Sequence, residues 1–400
     1  MLILSEKSKS MPASPIRKLV PYADKAKERG TKVYHLNIGQ PDIESPKVVL
    51  DGLKNFNSTI ISYTHSEGTL EYRKALANYY SNRGIENITP ENFIATLGGS
   101  EALLFIFGII ANPGDEIIIP EPFYANYNGF TCENDVNIVP ISSTIENNFA
   151  LPSIEEFAKK ITDKTRAILI CNPGNPTGYV YSKEELIQLK DLVLKHDIYL
   201  IADEVYAEYL YTEEEFTSIL SFPELENNAI VIDSESKRFS LCGARSGALV
   251  SRNKQFLNAA MLFAQARLSP VEISQHIATL AHQNVGTYFE DCRAEYLKRR
   301  NILVEGLKTI PGVICPNPKG AFYCMIKLPV DNAEKFAVWL LESFSDNNET
   351  IMLAPGEGFY SNHELGKQEV RLAYVLKEED LIRSVELLKT ALEQYPGTIK

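Results

Sequence analysis

From "NFIATLGG" onward the chain keeps returning to short, unbroken apolar runs, with helix-like stretches between them. "SEALLFIFGIIA" follows the first run; "DEIIIPEP" and "VNIVPIS" come next; "TRAILICNPGNPTG" leads into "SKEELIQLKDLVLKHD". "IYLIADEVYAEY", "AIVIDSESK" and "SGALVS" complete the series. Apolar runs this short, without polar alternation, are strands buried on both faces, and such strands belong to mostly parallel sheets covered by helices. In these α/β sheets ligands gather outside the carboxyl ends of the strands. Four polar clusters, "GGSE", "NPGNPTG", "DEVY" and "SESK", fall at such ends. The expectation is that they build one site.

After about residue 284 the pattern changes. A long helical stretch, "VGTYFEDCRAEYLKRRNILVEGLKTI", is followed by "GAFYCMIKLP", another helix, "IMLAPGEGF", "EVRLAYV" and a final helix. This reads as a second, smaller α+β domain over 285–400, after a large domain over 46–284. Residues 1–45, extended and loop-like at "VYHLNIGQPDIESP", are expected to join the small domain. With 400 residues, 44% hydrophobic and 23% charged, the chain has enough material for such a core. A net charge of -12 argues against a nucleic-acid-binding face. The longest apolar run, residues 102–111, is too short to span a bilayer. Six cysteines without a CxxC pair give no support for a zinc site and read as reduced thiols in a cytoplasmic protein.

Lys237 stands where "AIVI" has just ended. A lysine attacks a carbonyl only when deprotonated, and burial beside positive charge favours that form. Lysines of this kind bond aldehydes such as that of pyridoxal phosphate (PLP); the bland alternative is a surface lysine in a loop. Ser234, Ser236 and Arg245 are suited to a phosphate, Arg245 through its planar fork. Ser100 and Glu101, opening a helix after Gly98 and Gly99, offer free amides and a helix dipole to an anion; an ordinary turn with Ser100 as N-cap is the alternative. Asp203, directly after a strand, needs a partner if buried, and a protonated pyridine is one. Tyr206 lies three residues on, and Asn175 presents an amide from "NPGNPTG".

Taken together, "NPGNPTG", "DEVY" and "SxSKxxxxxGxRxG" resemble, in order and spacing, the PLP-dependent aminotransferases of class I/II, which have fold type I. The resemblance covers nearly the whole chain. It implies a seven-stranded, mostly parallel sheet, and a ping-pong transfer of an amino group from an L-amino acid to a 2-oxo acid, commonly 2-oxoglutarate. It implies that Lys237 holds PLP covalently and carries the proton, and that Asp203 pairs with the ring nitrogen. Tyr206 and Asn175 are implied at the ring oxygen, and Ser234, Arg245 and the amides of Ser100 and Glu101 at the phosphate. Tyr124 aligns with the aromatic that stacks on the ring, with Phe123 as competitor. Tyr63 corresponds to a residue that crosses to the partner's phosphate in a homodimer with shared sites. Arg371, in "VRLAYV", is implied to clamp the substrate α-carboxylate, which Asn175 also touches and over which the backbone of Gly39 closes.

Aspartate-specific relatives carry a lysine where Ser100 stands, or an arginine from the partner, for which Arg267 is the candidate. Aspartate, alanine and aromatic donors therefore all stay open. A carbon–sulfur lyase on the same fold is the alternative activity. An acyl-CoA-condensing relative lacks support, because "PEPFYANY" has no histidine. A transcription regulator would need a DNA-binding module that the start of the chain does not supply.

Overall fold

The computed structural model describes residues 2–362 and 364–399. Its strands are β1 (Lys32–His35), β2 (Phe93–Thr96), β3 (Glu116–Glu121), β4 (Asn137–Ser142), β5 (Thr165–Cys171) and β6 (Tyr199–Asp203). They continue with β7 (Ala229–Ser234), β8 (Gly247–Val250), β9 (Tyr323–Lys327), β10 (Glu349–Met352), β11 (Ala354–Pro355) and β12 (Glu369–Ala373).

Seven of them form one sheet in the spatial order β2, β8, β7, β6, β5, β3, β4. All run parallel except β8, which is antiparallel to both neighbours. The uninterrupted apolar runs are buried on both sides, as expected: every residue of β2, β7 and β8 is buried. Successive side chains point to opposite faces. Ile168 and Ile170 of β5 join a cluster with Leu186, Leu189 and Val193 on one side. Ala167 and Leu169 join Leu103, Ile106 and Phe256 on the other. Ser182 starts the helix Lys183–His196 with a capping box, its hydroxyl accepting from the Glu185 amide at 3.1 Å.

β9, β11 and β12 form an antiparallel sheet in the order β11, β12, β9. β1 pairs in parallel with β10, Lys32 opposite Glu349. Tyr34 and Leu36 share a buried cluster with Phe322, Leu372 and also Tyr206 and Tyr209. That cluster fixes the smaller sheets against the edge where β6 ends.

Candidate active site

One edge of the large sheet collects the chemistry. The register pairs Cys171 with Asp203 at the ends of β5 and β6. Ser234, at the end of β7, lies opposite Gly247, and Gly247 opposite Thr96 of β2. Because β8 runs the other way, its beginning reaches this edge and brings Arg245 with it. A cavity of about 890 Å³ opens here, lined by Gly39, Ser100, Tyr124, Asn175, Asp203, Tyr206, Ser234, Lys237, Arg245 and Arg371, among others.

Asp203 is buried, and its Oδ2 accepts from the Tyr127 hydroxyl at 2.9 Å. Its other contact, from the Val205 amide at 3.4 Å, is long. Burial pushes its carboxyl up to about 6. Tyr206, also buried, has its hydroxyl 3.0 Å from that of Tyr323. Lys237 stands on a one-turn helix, Glu235–Arg238, where a loop is expected; the Ser234 hydroxyl caps it by accepting from the Ser236 amide at 3.2 Å. The Lys237 amine donates to the Gly39 carbonyl at 3.0 Å. A Cβ on Gly39 would fall 1.8 Å from the Tyr323 hydroxyl, so the backbone there approaches the site as only glycine can.

At the other end, the 12-residue helix Gly99–Ile110 has Gly98 as N-cap and no capping side chain. Its first amides, including those of Ser100 and Glu101, are left free for an anion. Gly98 holds φ +75, and a Cβ there would lie 2.8 Å from Arg245 Nη2. Arg245 itself takes a left-handed backbone, φ 53, and its fork donates to the carbonyls of Cys242 and Leu97. Such backbone conformations in non-glycine residues cluster at functional sites.

Arg371 is 2% exposed, among the largest side chains sealed in the protein. It donates to Asn175 Oδ1 at 3.1 Å and to the Asn37 carbonyl at 2.6 Å, with its guanidinium 4.5 Å from the centre of the Tyr323 ring. Its Nε and both side-chain amide atoms of Asn37 have no hydrogen-bond partner among the described residues.

Glu204, next to Asp203, lies outside the cavity lining and accepts from the Ser218 hydroxyl and the Ile219 amide, both at 3.0 Å. Burial pushes its carboxyl from 4.5 up to about 8. Across that window the folded chain holds a proton that the unfolded chain has lost, so stability falls as pH rises. Glu204→Gln is expected to remove the loss. Melting temperatures at about pH 5 and about pH 8 should then differ less in the variant than in the parent.

Two sequence-based candidates stand elsewhere. Tyr63 is 79% exposed and lines no part of the cavity. Arg267 is tied to Glu101 Oε2 at 2.6 Å and to the carbonyls of Ser66 and Ala95, which leaves its fork committed. The side chain of Glu101 is therefore an ion-pair partner, and only its amide stays open at the start of the helix. Of the two aromatics, Tyr124 lines the cavity and packs against the apolar cluster to which the buried Phe123 belongs, and Phe123 does not line the cavity. Sequence reasoning missed Tyr127, Tyr323 and Asn37, and also Arg17, which lines the cavity. Tyr127 lay within the quoted "PEPFYANY" and Tyr323 within "GAFYCMIKLP", but nothing in either string says which tyrosine meets which partner.

A model of the class I and II aminotransferases matches residues 31–387. The chain belongs to that family. It is 32% identical over 386 residues to an aspartate aminotransferase of Pyrococcus horikoshii, covering 95% of both chains. The solved aspartate aminotransferase of Thermus thermophilus with maleate superposes with a TM-score of 0.88 at 28% identity, over 98% of this chain and 100% of that one. An alanine aminotransferase from Pyrococcus furiosus superposes equally well, TM-score 0.89 at 28% identity, with the same coverage. The fold is thus fold type I, and the chain is an aminotransferase, moving an amino group from an amino acid to a 2-oxo acid.

Aminotransferases of this class use PLP. The residues of this one fit such a group. Asp203 is a buried carboxylate with no ion-pair partner among the described residues. The uncapped amides after Gly98 lie beside the Arg245 fork, a cradle for phosphate. The Arg371 Nε and the Asn37 amide are unsatisfied polar atoms that a bound carboxylate or water would satisfy.

Proposed function

We propose that this aminotransferase holds PLP in the cavity, with Lys237 as the residue bonded to it, and transfers the amino group of an L-amino acid to 2-oxoglutarate. When bound, PLP supplies an electron sink that lets the bond from the substrate Cα to hydrogen break. The amine of Lys237 would take the proton from that Cα and deliver it to the cofactor's aldehyde carbon, C4′, and carry it the opposite way in the second half-reaction. Asp203 supplies negative charge for the ring nitrogen, and Tyr206 and Asn175 supply hydrogen bonds to the ring oxygen. The Ser100 and Glu101 amides, Ser234 and Arg245 hold the phosphate, and Tyr124 stacks on the ring. Arg371 clamps the α-carboxylate, with the Gly39 backbone beside it. The carrying observation is that Asn175, Asp203, Lys237 and Arg371, from four separate segments, line one cavity.

The enzyme is read as a cytoplasmic homodimer. In support, no described helix is long and apolar enough to cross a membrane, and the cysteines are free. Exposed Ile60, Ile61, Tyr63, Leu268 and Val271 lie on segments bonded to one another through Ser62–Glu272 and Ser66–Leu268 contacts. Apolar surface of this kind marks a protein interface. Tyr63 then completes the partner's phosphate site; a single-chain mass by light scattering removes it from the site.

The test of the activity is a half-reaction screen. Purified protein with PLP is expected to be coloured, to lose its visible band on adding a donor amino acid, and to regain it with 2-oxoglutarate. Protein that stays colourless after soaking in PLP overturns the reading. Arg371→Ala is expected to raise KM for the amino acid about 100-fold or more while changing PLP affinity little. A bond to a charged group contributes about 1.5–3 kcal/mol, and two are lost here. Equal losses for both ligands would assign Arg371 a structural role.

A further inference from the structure

The residues on either side of Lys237 and Ser236 point away from the cavity. Glu235 and Arg238 are sealed inside the protein, with side chains 0% and 3% exposed, and neither lines the cavity. Glu235 Oε2 accepts from Arg238 Nη1 at 3.2 Å. Arg238 Nη2 donates to Asp233 Oδ1, at the end of β7, at 2.6 Å. Glu235 Oε1 accepts from the Tyr72 hydroxyl at 2.9 Å and lies 2.9 Å from His282 Nε2. Two helices, Leu70–Asn82 and Glu272–Gln283, thus fasten onto one carboxylate. The Arg238 guanidinium also sits 4.0 Å from the centre of the Tyr79 ring. From the other side, the Tyr209 hydroxyl donates to the carbonyl of Lys237 itself at 2.8 Å.

Stability alone gives little reason for this cluster. Burying charges is costly, and apolar side chains of similar volume often do as well or better. What a carboxylate–guanidinium fork adds is direction, because its hydrogen bonds exist only in a narrow geometry. The lysine side chain is long and flexible, so its amine is held in place only if the backbone beneath it is. Displacement of a reacting group by about 1 Å costs on the order of 100-fold in rate.

We propose that Glu235 and Arg238, braced by Asp233, His282, Tyr72 and Tyr209, are positioning residues that lock the turn carrying Lys237 and so hold its amine at the cavity wall. The proposal rests on the reading of Lys237 as the PLP-bonded residue. The brace acts through the backbone, and none of its members touches the substrate. The charge of Asp233 is also felt at Asp203, where it favours the protonated form.

The test uses Arg238→Met and Glu235→Gln in the full chain. With PLP bound, kcat is expected to fall about 10- to 100-fold, with KM for the amino acid within about threefold of the parent, since Arg371 is untouched. In the PLP-free protein, amide exchange over residues 235–239 is expected to quicken about tenfold or more, as local opening becomes easier. Should Arg238→Met not fold, Asp233→Asn with Arg238→Met removes both charges of one pair together and is read in the same way. Folded variants with unchanged kcat and unchanged exchange overturn the brace. So does a lowered melting temperature with kcat per PLP-bearing site unchanged. Borohydride reduction and peptide mapping of the parent separate the two readings. An adduct on a residue other than Lys237 overturns both, whereas an adduct on Lys237 with unchanged variant kcat overturns the brace alone.

Discussion

Lys237→Ala is expected to give a folded protein whose turnover is about a thousandfold or more below that of the parent. The stability cost is small. The amine of Lys237 makes one hydrogen bond to the Gly39 carbonyl and a longer contact to Cys242 Sγ, and a bond of this kind contributes about 1 kcal/mol. The catalytic cost is large, because a positioned proton carrier contributes about 10²–10⁴-fold. No second lysine is among the residues lining the cavity to take its place. Steady-state kcat, melting temperature and borohydride trapping measure the three effects. A kcat within tenfold of the parent would remove Lys237 from the chemistry.

Asp203→Asn is expected to move stability and activity in opposite directions. Without PLP the buried carboxyl is pushed from 3.8 up to about 6. The folded chain then holds a proton that the unfolded chain releases between those values. Stability is therefore lost as pH rises through that window and is not regained at neutral pH. An amide removes that loss, which is of order 3 kcal/mol at most, and can still accept from the Tyr127 hydroxyl. With PLP bound the sign reverses, because a positive ring nitrogen loses its partner in a buried site, a cost of about 3–5 kcal/mol. That corresponds to about 10²–10³-fold or more in PLP affinity, kcat or both. The PLP-free variant should melt higher than the parent near neutral pH while the PLP-loaded one works far more slowly. A variant that melts lower without PLP, or keeps kcat within tenfold, contradicts the assigned role.

The parts of the site that were legible beforehand are those governed by local rules. "AIVI", short, rich in β-branched residues and followed by polar ones, reads as a strand buried on both faces, and a lysine five residues beyond it reads as lying near a sheet edge. "YLIAD" placed Asp203 in the same way. The reversed direction of β8 was not legible, since "GALV" reads alike in either sense; it is fixed by Gly247 fitting between Ser234 and Thr96. Nor were Tyr127 and Tyr323. Tyr127 meets Asp203 across 76 residues of chain, and Tyr323 meets Tyr206 across 117, through hydroxyls that only the packed core brings together. Arg267 misled for a related reason. A cation near the expected position reads as a ligand-binding group until its carboxylate partner, Glu101, is seen beside it.

Arg371 in β12 grips the carbonyl of Asn37, just beyond β1, so the proposed substrate clamp joins two stretches more than three hundred residues apart. On a ribosome that ordering has a consequence. Every strand of the seven-stranded sheet has emerged by Val250, long before Arg371 is even translated. A nascent or prematurely terminated chain can therefore carry the sheet edge proposed to hold PLP while lacking Arg371, the proposed carboxylate clamp. Turnover waits for the last tenth of translation.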